Sequence, residues 1–179
     1  MMAKSQDIVV LLKWLCCPEL KNYADLAKQL GMSVGEVHGA TQRSGNAGLF
    51  NLENRTPLIQ PLKEYLVHGV KYAFPALRGA PTRGIPTSYA ALPLSKHFSQ
   101  NEKNDLPPVW PDPEGKVRGY AIEPLFRSVP YAVRQDSKLY ELLALLDALR
   151  EGRARERQFA ASELDRQIET LARGEKAST

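Results

Sequence analysis

Residues 23–42 read YADLAKQLGMSVGEVHGATQ, and the chain on either side is organised around them. Leu26, Ala27 and Leu30 fall at helical spacing on one face. Gly31 follows where a left-handed residue ends a helix at little steric cost. Met32 turns back toward the core. Ser33 then opens a second helix, and Glu36 three residues on completes an S-x-x-E capping box. Val34, Val37 and Ala40, with Thr41, are expected to form the buried face of that helix. Ala27 is small where the two helices cross, so they can approach closely. The opposite face carries Ser33, Gly35, His38, Gly39, Gln42 and Arg43. It is short and polar, with Glu36 as its one acid. Gly35 and Gly39 each cost about 1 kcal/mol of helix stability relative to alanine.

This pattern, an alanine, a glycine and an aliphatic residue at fixed offsets across a turn, resembles the helix-turn-helix of DNA-binding proteins. With Ala47, Gly48, Leu49 and Phe50 (AGLF) closing the second helix, residues 1–92 are similar to winged helix regulators of the MarR type. The resemblance covers about the first half of the chain. It implies a sequence-specific transcriptional regulator, a bacterial repressor, that binds double-stranded DNA as a homodimer on a palindromic site. The second helix would enter the major groove with its N-terminal residues first. Ser33, His38, Gln42 and Arg43 would read base edges, Gln42 pairing with adenine and Arg43 with guanine or a phosphate. Lys28, Arg55, Arg78 and Arg83 would contact phosphates. Such a protein needs no cofactor and no metal.

The flanking segments give a mainly α fold with small β-hairpins. Residues 6–17 read as a helix with an Ile8, Leu11, Leu12, Leu15 stripe, stopped by Pro18. Residues 58–70 read as another, carrying Leu58, Leu62, Leu66 and Val70. Residues 72–89 change character. Aromatic and β-branched residues flank a centre rich in glycine and proline, which predicts two short strands joined by a loop over residues 77–84. With Arg78 and Arg83 on that loop, this hairpin is the expected wing. Residues 93–108 read as loop. Short strands at 109–110 and 117–122 are expected around a turn at 112–115. Asp136 or Ser137 caps a helix bearing Leu139, Leu142, Leu143, Leu146 and Leu149, and Gly152 stops it. Residues 153–173 are charged and helical, with a narrow stripe of Ala160, Leu164, Ile168 and Leu171 that suggests a partner helix. The expected organisation is therefore a winged helix-turn-helix domain at 1–92, a β-rich middle at 93–135, and a C-terminal helical region at 136–174 for oligomerisation or partner binding.

The 179 residues carry a net charge of +4. Residues 1–100 hold 11 basic and 6 acidic side chains, a balance of +5, whereas residues 101–179 hold 13 and 14, a balance of −1. The positive excess thus accompanies the helix-turn-helix, as attraction to a polyanion requires. No apolar run approaches the roughly 20 residues that cross a membrane, and the polar start carries no leader pattern, so a cytoplasmic protein is expected. Adjacent Cys16 and Cys17 make no disulfide framework. His68 has no neighbour at metal-ligand spacing. Asp105, Asp112, Glu114 and Glu123 sit in turns without a metal-loop pattern. No nucleophile–base pair and no phosphate-cradling glycine motif occurs, so an enzyme is not expected. The alternative is an antitoxin or adaptor that holds a partner protein through the C-terminal helices.

Overall fold

The first helix has almost no wet face, and this decides the architecture. In the computed structural model, which describes residues 3–20, 22–98 and 106–174, α1 (Ser5–Cys16) is buried from Asp7 to Cys16. A helix apolar on most sides must be covered on most sides. α2 (Tyr23–Leu30) and α3 (Val34–Asn46) cover it on one flank, and α7 (Ser137–Glu151) and α8 (Ala154–Ala172) on another. Two buried ion pairs fasten the arrangement. Lys13 Nζ lies 2.6 Å from Asp136 Oδ2, and Asp136 also caps α7 by accepting the Leu139 N–H. Asp7 holds the guanidinium of Arg43, with Nε to Oδ2 at 2.9 Å and Nη2 to Oδ1 at 2.5 Å. Cys16 is buried beside α7, and burial pushes its thiol well up.

The chain is mainly α-helical with small β elements, as its patterning implies. The three expected regions do not have separate cores. One apolar cluster runs from Ile8 and Leu26 through Leu62 and Trp110 to Leu143, Leu164 and Ile168. Residues 58–70 are helical as expected: α4 (Ile59–Glu64) passes through a π turn (Tyr65–Gly69) into α5 (Val70–Ala73), burying Leu62, Leu66 and Val70.

Strands form over 109–110 and 117–122 as expected, but elsewhere they depart from expectation. A hairpin forms immediately after α3. β1 (Phe50–Asn51) pairs antiparallel with β2 (Thr56–Pro57). Its turn is set locally, since Asn51 Oδ1 accepts the N–H groups of Glu53 and Asn54, each at 3.0 Å. The hairpin expected over residues 72–89 is not one. Its supposed loop is part of a continuous strand, β3 (Arg78–Pro86), which pairs with both β4 (Pro108–Pro111) and β5 (Val117–Ile122). β4 and β5 also pair with each other, so the three strands close into a small barrel. The glycines that suggested a turn serve this closure instead. A Cβ on Gly84 would lie 2.0 Å from the Trp110 carbonyl oxygen, so only glycine permits that approach.

α6 (Val129–Val133) leads from the barrel to α7 and rests on the α2–α3 turn. The stripe on α8 is also used within the chain. Ala160, Leu164 and Ile168 are fully buried against α7 and its neighbours, and Lys63 of α4 bridges Asp165 and Glu169 at 2.7 Å each. The partner helix that the stripe called for is thus in the same molecule. Asp105, part of the 93–108 loop, and the last residues of the chain lie outside the described residues.

Candidate functional site

The α2–α3 unit forms as its sequence dictates. Gly31 ends α2 in the left-handed conformation at φ 64°, where a side chain is strained. Glycine is needed there a second time, because a Cβ would stand 2.8 Å from the Tyr131 ring of α6. Ser33 accepts the Glu36 N–H at 3.2 Å, and Glu36 accepts the Ser33 N–H at 2.8 Å, completing the capping box. That last bond holds the Glu36 carboxyl below its usual range. Leu26, Ala27, Leu30, Val37 and Ala40 are buried. The Thr41 hydroxyl bonds back to the Val37 carbonyl and receives the Trp14 indole N–H at 3.3 Å.

What remains of α3 is an uncovered polar face. Ser33, Val34, Gly35 and His38 are exposed, and Gly39 and Gln42 are half-buried. Among the described residues, a Cβ on Gly35 would meet nothing within 4 Å, so none of them asks for glycine there. Gly39 has an internal reason, since a Cβ would come within 3.2 Å of the Arg43 guanidinium. His38 is held in place from the side. Its ring meets Tyr23 edge-on at 5.3 Å, and Arg55 at the tip of the β1–β2 hairpin lies over the same tyrosine at 5.2 Å. The hairpin, the start of α2 and the outer face of α3 are thereby joined through one aromatic ring.

Of the residues expected to act together, the structure gathers Ser33, His38, Gln42, Lys28 and Arg55 about α3 and its flanks. Lys28 and Arg55 are exposed. Arg43 does not belong with them. It is 9 % exposed, and its guanidinium is committed to Asp7. It sits five positions after His38 and points to α1, so it serves the core and not the outer face. Arg78 and Arg83 are not on a wing either. They lie on β3, where Arg78 bonds Glu151 at 3.2 Å and covers the Tyr120 ring, and Arg83 faces Arg118 across the sheet.

Sequence reasoning missed two residues of this surface. Val34, expected inside, is 50 % exposed. Arg127 lies 91 positions after Glu36, yet its guanidinium reaches that carboxylate at 3.5 Å, and its side chain is 81 % exposed. It is brought there by the docking of α6, where the Tyr131 hydroxyl donates to the Lys28 carbonyl at 3.3 Å. No local signal in residues 123–134 announces this.

Among the described residues no three His, Cys, Asp or Glu side chains stand close enough to hold a metal ion, and no helix is long and apolar enough to cross a membrane. Compared with protein-family models, curated proteins and solved structures, the chain matches none. The functional reading therefore rests on the geometry alone.

Proposed function

We propose that this chain is a sequence-specific DNA-binding regulator of the winged helix-turn-helix kind, a repressor that acts as a homodimer on a two-fold site. The observation that carries the reading is the uncovered face of α3. It is polar. It bears a glycine that none of the described residues requires, and it lies between a tight turn and a hairpin. An α-helix fits the major groove, and an exposed glycine lets backbone and base edges come close. His38 and Gln42 would read bases. Ser33, Lys28, Arg55 and Arg127 would hold phosphates, with Arg127 also offsetting the Glu36 charge. The α8 stripe, which suggested a partner helix for a dimer or an adaptor alike, is packed within the chain and supports neither.

The test is a mobility shift against duplex DNA from the region upstream of the protein's own coding sequence, with competitor DNA present. A double variant His38→Ala, Gln42→Ala should lose sequence preference while keeping weak, salt-sensitive binding. Arg127→Ala should weaken all sequences alike and lower the salt slope of log K by about 1. Parent binding that is weak, abolished by moderate salt and unchanged by the double variant would rule the reading out.

A further inference from the structure

Val34 is the first residue of α3, and half of it is open to water although it is isopropyl-bearing and lies on a polar face. The core contacts of this helix are made by Val37 and Ala40, both fully buried. Val34, His38 and Gln42 are spaced by four, so they form one row on the helix surface. Gly35 and Gly39 form the next row, on which no side chain rises above the backbone. The row beginning at Val34 is therefore the raised edge of the uncovered face, and Val34 is its one apolar member. An isopropyl group offers nothing to a phosphate or to a base hydrogen-bonding group. The apolar feature of the major groove is the C5-methyl of thymine, and the N-terminal residues of the second helix are those that reach base edges.

We propose that Val34 is a specificity-determining residue that selects thymine by packing against its C5-methyl group. The proposal rests on the DNA-binding reading above. It assigns the three members of the row different tasks: Val34 reads a methyl, while His38 and Gln42 read hydrogen-bonding edges.

The probe is a duplex recovered by the full chain from a random-sequence pool, then resynthesised with deoxyuridine in place of thymidine, one position at a time. Deoxyuridine keeps every hydrogen-bonding group and lacks the methyl alone. One position in each half-site should weaken parent binding about fourfold, the worth of one buried methyl. Val34→Ala should bind the two forms of that position alike, and Val34→Ile should keep the difference. Its exposure means that Val34→Ala should melt as the parent does. The proposal is overturned if specific binding survives and every deoxyuridine duplex binds the parent as tightly as thymidine, or if Val34→Ala retains the full difference. Failure to recover any sequence above the pool background overturns the DNA-binding reading and this proposal together, which tells the two failures apart.

Discussion

α3 and α8 look alike in sequence terms: each has a narrow apolar stripe and a polar remainder. Their fates differ. On α8, Ala160, Leu164 and Ile168 are fully buried and Leu171 is half-buried, and the polar side of the helix is tied to α4 through Lys63. α3 buries Val37, Ala40 and Thr41 but leaves Val34 half exposed, and its other face is left bare, with Gly35 facing open space. Periodicity tells which side of a helix is apolar. It does not tell whether the cover comes from the same chain, from another, or whether the polar side has a task. The bare face with a glycine that no internal contact explains is the informative one.

The comparison can be broken most severely at Arg43, the point where α3 is least like a reading helix. Arg43→Ala leaves Asp7 buried without its partner, so a loss of about 3–5 kcal/mol is expected in urea denaturation. A variant as stable as the parent would return Arg43 to the outer face. On α8, Leu164→Ala should cost about 2–5 kcal/mol, since the leucine is fully enclosed. If the stripe instead served a foreign partner, the same change would leave the stability of the isolated chain untouched.

The end of α7 offers a pH-dependent test of the same packed half. Burial raises the Glu151 carboxyl above its ordinary value, and Arg78 offsets this only in part. The Glu151 side chain is 2 % exposed. A carboxyl with a raised folded pKa binds more protons folded than unfolded, so its contribution to stability falls as pH climbs through that raised value. Glu151→Gln lacks this fall. Its advantage over the parent should widen from acid toward neutral pH in denaturation curves taken at several pH values, and a narrowing gap would refute the assignment.

The gentlest change falls on α3. Gly35→Ala fills open space, so it should stabilise the chain by about 1 kcal/mol. The same variant should bind DNA more weakly, because the methyl stands where the groove would approach. A variant both more stable and equally tight would show that the glycine is incidental. These opposite signs sharpen the contrast with Leu164, where loss of side chain harms stability.

Much of the candidate site was legible because it is local. The Ser33–Glu36 box spans four residues, Gly31 needs only its own backbone, and the buried row of Leu26, Leu30, Val37 and Ala40 follows helical spacing. Where the reading failed, a distant partner intervened. Arg43 reads as part of the outer polar face because it is a charged residue beside Gln42 in a helix-turn-helix pattern, but Asp7, 36 positions earlier, draws it to α1. Glycine and proline in residues 78–86 look like a turn, yet they permit a closed barrel once strands from 108–122 approach. Val34 reads as inside because it is apolar, yet at the helix start half of it stays exposed.

By itself the sequence determined the elements: where α1, α2, α3, α7 and α8 run, how α2 stops and α3 starts, and which stripe of each is apolar. These depend on contacts within a few residues. Only the tertiary structure decided which hairpin follows α3, which cations are spent on Asp7 and Glu151, that α8 is covered from within, and that Arg127 stands beside Glu36. Apart from that short hairpin, each of those is a pairing between residues tens of positions apart, and side-chain type alone carries no address for its partner.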